Sequence, residues 1–202
     1  ELARVLANSL FGSKDALIRF DMSEYMERHS VSRLLGAPPG YIGYDEGGAL
    51  SEAVRKHPYS LVLFDEIEKA HKDVYNILLQ ILDNGAITDS QGRHIDFKNT
   101  IIILTSNIGV KDAMEQKSLG FYESNNNLAL KDSISSALKR EFSPELINRL
   151  DEIVIFNQLS IENIKKIASI MMDEIKEAVK ALGIDIKFDE SAVSFIASYG
   201  FD

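Results

Sequence analysis

Two short apolar runs dominate the hydrophobic pattern of this chain. Leu61-Val62-Leu63-Phe64 leads into Asp65-Glu66, and Thr100-Ile101-Ile102-Ile103-Leu104 leads into Thr105-Ser106-Asn107. Continuous rather than alternating apolar runs mark strands buried on both faces of a parallel sheet. Between them Val74, Ile77, Leu78, Ile81 and Leu82 recur at i, i+3, i+4 spacing, which predicts a helix closed by Asn84-Gly85. Strand, helix, strand in this order predicts a doubly wound α/β fold, a parallel sheet flanked by helices. Ligands of such folds bind at the carboxyl ends of the strands, where both polar tails fall.

The remaining pattern fills in around this unit. Leu2, Val5, Leu6 and Leu10 predict a helix stopped by Gly12, and the alternation from Leu17 to Met22 predicts a further strand. Residues Gly36 to Gly48 hold five of the 12 glycines and two of the 4 prolines, too many for a helix interior or a central strand, so a long mobile loop is expected. Gly85 to Asp96, around Ser90-Gln91-Gly92-Arg93, reads as a hairpin. Gly120 to Asn127 reads as a polar loop, and a helix is expected over Leu130 to Phe142. Ile153-Val154-Ile155-Phe156 and Ile184 to Phe188 read as short strands. A long amphipathic helix is expected from the N-cap candidate Ser160 to Gly183, and another from Ser191 to Tyr199. The shift to mainly helical patterning places a boundary near residue 158: an α/β domain over 1–158 and the start of a small C-terminal subdomain over 159–202.

Composition narrows the function. With 22 Lys+Arg against 31 Asp+Glu, the net charge of −9 argues against a general nucleic-acid binder, which needs clustered cations. Absence of cysteine removes disulfides, thiolate catalysis and Cys-type zinc sites. No apolar run approaches the roughly 20 residues that span a bilayer, and the start carries no signal peptide. A cytoplasmic protein without membrane contact is the expectation.

A strand delivering Asp65-Glu66 to the sheet edge suits nucleotide hydrolysis, with Asp65 holding the Mg²⁺ shell and Glu66 orienting and deprotonating the attacking water. The competing view is that the two acids merely open the following helix, where they favour its dipole. Asn107 at the same edge supplies an amide able to hydrogen-bond a γ-phosphate or the lytic water, or it caps a turn. Tyr41, between Gly40 and Gly43, is an aromatic able to grip a chain without reading its sequence, unless it tucks back on the surface. Arg149 read alone pairs with Asp151 or Glu152. Arg93 and His94 read alone are solvated.

Together, Leu61-Val-Leu-Phe-Asp-Glu-Ile-Glu-Lys-Ala-His71, Thr105-Ser-Asn107, Gly40-Tyr41-Ile42-Gly43 and Asn148-Arg-Leu-Asp-Glu152 closely resemble the second ATPase module of the Clp family of AAA+ protein unfoldases. The resemblance implies a P-loop-NTPase-like fold using ATP and Mg²⁺, with Asp65 and Glu66 as the Walker B pair, Asn107 as sensor 1 and Arg149 as the arginine finger. The family often carries a further Arg where this chain has Ser143. Gly40, Tyr41, Ile42 and Gly43 would form the central pore loop of a homo-hexamer that threads unfolded proteins, with the Gly85–Asp96 hairpin as second pore loop. Leu119-Gly120-Phe121, apolar residues on a polar loop, resemble the tripeptide by which ClpC-like or ClpE-like members dock the ClpP peptidase; adaptor proteins are further partners of such members. The disaggregase branch, similar elsewhere, works without a peptidase. A clamp loader or helicase is the reading from another class, and the charge and Tyr41 speak against it.

No G-x-x-x-x-G-K-[ST] occurs in the 202 residues. In the family this Walker A motif ends just before the residues that Glu1-Leu2-Ala3-Arg4 match, and the sensor-2 arginine follows the position of Asp202. The expectation is therefore a fragment, inactive alone, of a cytoplasmic ATPase, or one from an organelle stroma of bacterial origin.

Overall fold

In a computed structural model of the chain, residues 1–41, 44, 47–109, 127–157 and 159–200 are described. They divide into two compact units, Glu1–Ile153 and Val154–Asp202. The first unit runs α1 (Leu2–Phe11), β1 (Leu17–Asp21), α2 (Arg28–Leu35), α3 (Ala49–Lys56), β2 (Leu61–Asp65), α4 (Lys72–Asn84), β3 (Ala86–Thr88), β4 (His94–Asp96), β5 (Ile101–Leu104), α5 (Asn127–Glu141) and the short α6 (Pro144–Ile147). Its described parallel sheet has the order β1-β2-β5.

Side-chain alternation along β2 sets the layers. Leu61 and Leu63 pack with Ala7 of α1 on one face, whereas Val62 and Phe64 pack with α2, α3 and α4 on the other. The residues of the apolar run from Leu61 to Phe64 are all buried, as a strand with neighbours on both sides and helices on both faces requires. Phe64 stacks on Phe20, its register partner in β1, with ring centroids 5.9 Å apart. Burying each of these large side chains contributes about 1.5–3 kcal/mol. The same register brings Asp21 beside Asp65 at the carboxyl edge.

Helix α4 closes as the sequence predicts: Gly85 takes a left-handed conformation (φ 64°) and returns its N–H to the Ile81 carbonyl. The chain then forms the β3–β4 hairpin, antiparallel with Ile87 opposite Ile95. Ser143, with Pro144 behind it, caps α6 by accepting from the Leu146 N–H at 3.3 Å.

The second unit contains α7 (Ile161–Lys180) and α8 (Glu190–Tyr199), capped by Ser160 and Asp189. The expected strands over Ile153–Phe156 and Ile184–Phe188 are not formed. Val154 and Phe156 are exposed, and no described strand lies alongside either segment; β-branched residues extend the backbone, but a strand needs a partner's N–H and C=O groups. No helix among the described residues is long and apolar enough to cross a membrane.

Candidate functional site

The carboxyl ends of β2 and β5 meet at Thr105, which organises the edge. Its backbone N–H donates to the Phe64 carbonyl (3.0 Å), and its carbonyl accepts from the Ile67 N–H (2.9 Å). Its hydroxyl accepts from the Glu66 N–H at 3.0 Å and donates to Asp65 Oδ1. Aiming the successive Glu66 and Ile67 N–H groups at one residue forces a sharp reversal. Glu66 makes it in the left-handed region (φ 55°, ψ 51°), the one non-glycine with positive φ among the described residues. Such a conformation costs a residue with a Cβ about 1–2 kcal/mol.

The other oxygen of Asp65 faces a cation. Arg19, on β1, donates from Nε (3.0 Å) and from its terminal nitrogen (2.6 Å) to Asp65 Oδ2, and lies 3.8 Å from Asp21 Oδ2. One guanidinium thus offsets the repulsion between two carboxylates that parallel pairing sets side by side. Asp21 also accepts from the Ser23 hydroxyl and N–H, which, with the Arg19 charge, hold its carboxyl below the usual range.

Glu66 is brought to Asn107, whose Nδ2 lies 3.5 Å from Glu66 Oε1. Lys69 sits 2.6 Å from Glu66 Oε2, and Glu66 holds its ammonium above the ordinary range. The Asn107 N–H donates to Glu68 Oε1 (3.2 Å), and Tyr75 donates to the Ile67 carbonyl (2.9 Å), bracing the turn that follows Glu66. The site therefore holds a fixed carboxylate, a second carboxylate on a strained turn and an amide facing it. This donor set fits a hydrated Mg²⁺ held through water at Asp65 rather than a cage of direct ligands, and among the described residues no group of three or more acidic, His or Cys side chains could cage a metal.

Arg149 lies elsewhere. Its Nε pairs with Asp83, in the last turn of α4, not with Asp151 or Glu152. Asp83 and the start of α4 are separated by about 17 Å of helix, at about 1.5 Å per residue. An acid at a helix C-terminus faces the negative end of the dipole, which gives Asp83 its own reason to hold a cation.

Tyr41 stands exposed (70%) beyond Gly40 (φ 87°) and does not tuck back on the surface. Ile42 and Gly43 of that loop, and Leu119, Gly120 and Phe121, lie outside the described residues. Arg93 is not simply solvated: its terminal nitrogen lies 2.6 Å from Asp89 Oδ2 and 2.8 Å from Glu52 Oε1. Arg19, Lys69 and Thr105 are the site residues that sequence reasoning missed. An arginine two residues before an aspartate on a strand was the available signal for the first; nothing local marked the others.

The chain matches the family model described as "AAA domain (Cdc48 subfamily)" over residues 1–153, and that of the "C-terminal, D2-small domain, of ClpB protein" over 159–202. It is 51% identical to the negative regulator of genetic competence ClpC/MecB of Bacillus subtilis and 52% identical to the chaperone protein ClpB of Rickettsia conorii. All of this chain is covered in both cases, but it spans only 25% and 23% of those relatives. Among solved structures, a chain of Hsp104, imaged by cryo-electron microscopy in its closed state with ATPγS and FITC-casein, superposes with a TM-score of 0.86 at 42% identity. That match covers 99% of this chain and 34% of the Hsp104 chain. On the family models, with the sheet edge they cover, the chain belongs to the Clp family of AAA+ ATPases.

Proposed function

We propose that this chain is the hydrolytic core of an ATP-driven protein unfoldase, the large α/β subdomain over 1–158 and part of the small one over 159–202. The observation that carries the reading is the edge constellation in which Glu66, on its strained turn, faces Asn107 beside the fixed carboxylate of Asp65. In this role Glu66 accepts the proton of the attacking water, and Asn107 orients that water or the γ-phosphate. Asp65 holds the hydrated Mg²⁺ of ATP, whose charge offsets that of the phosphates. Arg149, far along α4 from Glu66, is suited to reaching a neighbouring subunit's nucleotide in a homo-hexamer. The exposed Tyr41 grips the unfolded substrate.

The isolated chain holds no phosphate-cradling motif, so alone it hydrolyses ATP negligibly. In the intact protein containing it, Glu66→Gln is expected to abolish hydrolysis while leaving nucleotide binding, and Tyr41→Ala to lower unfolding relative to hydrolysis. Full hydrolysis in Glu66→Gln refutes the catalytic assignment. Identity to the ClpC relatives (49–51%) and to the ClpB relatives (49–53%) overlaps, so the branch turns on Leu119-Gly120-Phe121, which we assign to ClpP docking. Replacing the three should abolish co-sedimentation with that peptidase; no ClpP binding by the unaltered protein leaves the disaggregase reading. Adaptor-mediated substrate delivery and a cytoplasmic location follow from the same assignment.

A further inference from the structure

The β3–β4 hairpin turn is tightly built around a buried acid. The Asp89 side chain is fully buried. Its Oδ1 accepts from the N–H groups of Gln91 (3.0 Å) and Arg93 (2.9 Å), and its Oδ2 accepts from Arg93 Nε (2.7 Å). Burial pushes the Asp89 carboxyl up, but Arg93 and the two N–H groups outweigh it and hold the carboxyl below the usual range.

From this rigid turn three ties run to the segment carrying Tyr41. The Ser90 N–H donates to the Leu35 carbonyl at the end of α2 (3.0 Å). Gln91 Nε2 donates to the Tyr44 carbonyl (2.9 Å), and Arg93 reaches Glu52 in the first turn of α3 (2.8 Å). They attach before, within and after the loop. Glycine makes the approach possible: a Cβ on Gly36 would fall 2.2 Å from Ser90 Oγ, and one on Gly47 would fall 3.1 Å from Glu52 Cγ and 3.2 Å from the Arg93 guanidinium. The loop is closed at its neck as well, since a Cβ on Gly48 would lie 2.3 Å from the Leu34 carbonyl oxygen. Its ends are thus held together as in an Ω-loop, with the hairpin turn braced against them.

We propose that the turn Asp89–Arg93 is a strut that positions the Tyr41 loop, with Arg93 and Gln91 as positioning residues, so that the loop moves with the hairpin and with α4 behind it. This goes beyond the pore reading and rests on it only for its consequence in unfolding. Hairpin and loop are joined by these three ties, one of them the partly buried ion cluster of Asp89, Arg93 and Glu52, so cutting the cluster loosens the loop without touching Tyr41.

The test measures amide hydrogen exchange over residues 36–48, together with protein unfolding per ATP hydrolysed, in the intact protein containing this chain. Arg93→Ala is expected to speed exchange at protected amides of the loop neck by about tenfold or more, because it removes the ion pair to Glu52 and leaves the buried Asp89 carboxylate without its cation, and to lower unfolding per ATP. Arg93→Lys should recover part of both, and Glu52→Gln added to Arg93→Ala should add little. Gln91→Ala, which cuts only the Tyr44 tie, serves if Arg93→Ala does not fold, and should speed exchange less. Unchanged exchange over 36–48 in the folded variants overturns the strut, whatever Tyr41 does. Faster exchange with unaltered unfolding in Tyr41→Ala upholds the strut and sinks the pore reading instead.

Discussion

The left-handed conformation of Glu66 makes a prediction that inverts the usual order of two substitutions. In ordinary backbone Gly is less stabilising than Ala by about 0.5–1 kcal/mol, because it loses more freedom on folding. At φ 55°, ψ 51° the Cβ of Ala meets the same penalty as that of Glu, about 1–2 kcal/mol, and Gly avoids it. The difference leaves Glu66→Gly more stable than Glu66→Ala by about 0.5–1 kcal/mol. Both variants lose the Lys69 ion pair and the Asn107 contact, so those losses cancel in the comparison; the ion pair is a third to nearly half exposed and worth a few tenths of a kcal/mol at most. The assay is urea denaturation of the 202-residue chain followed by tyrosine near-ultraviolet circular dichroism, since Tyr25 and Tyr75 pack in the core of the first unit. In thermal melts the gap corresponds to about 2–4 °C per kcal/mol for a unit of this size. Glu66→Ala as stable as Glu66→Gly, or more so, would refute the claim that backbone strain is stored at this residue.

Three further outcomes follow from the geometry. Burial raises the Tyr75 hydroxyl to about 12, so the folded state holds a proton that the unfolded chain releases near pH 10; stability is intact below that and falls as pH rises from about 10 to 12. Alkaline titration read by tyrosinate absorbance should show this decline shrink in Tyr75→Phe, which at neutral pH costs about 1 kcal/mol by removing one of the two hydrogen bonds to the Ile67 carbonyl, the Ala70 N–H remaining. Gly48→Ala drives a Cβ into the Leu34 carbonyl and the Leu35 backbone and should cost about 1–3 kcal/mol in urea denaturation; a neutral result would show that the neck of the loop yields freely. A double-mutant cycle on Asp83 and Arg149, both partly exposed, should give a coupling of about 0.2–1 kcal/mol by the same measurement, and no coupling would mean that Arg149 is not held on α4.

What the sequence made legible and what it hid divide along one physical line. Elements whose signal is local were readable. The runs ending at Phe64 and Leu104 became β2 and β5, the i, i+3, i+4 stripe became α4, and Gly85 stopped it where its left-handed φ was needed. The Asp65-Glu66 and Asn107 tails were readable too, because strand ends of an α/β sheet converge by topology alone. What stayed hidden depends on partners distant along the chain. Arg19 meets Asp65 only because β1 and β2 pair in parallel register, Arg149 meets Asp83 only through the packing of α6 against α4, and Glu66 turns left-handed only because Thr105 binds both the Glu66 N–H and that of Ile67. Ile153–Phe156 failed in the opposite direction, with strand-like composition and no strand to receive it. A residue's type therefore names the chemistry it can supply, while its counter-charge comes from the fold. In this site the counter-charges are Arg19 for Asp65 and Lys69 for Glu66, both at one sheet edge. Any cation bound for Asp65 must share that carboxylate with Arg19, and any water bound for Glu66 must share it with Lys69.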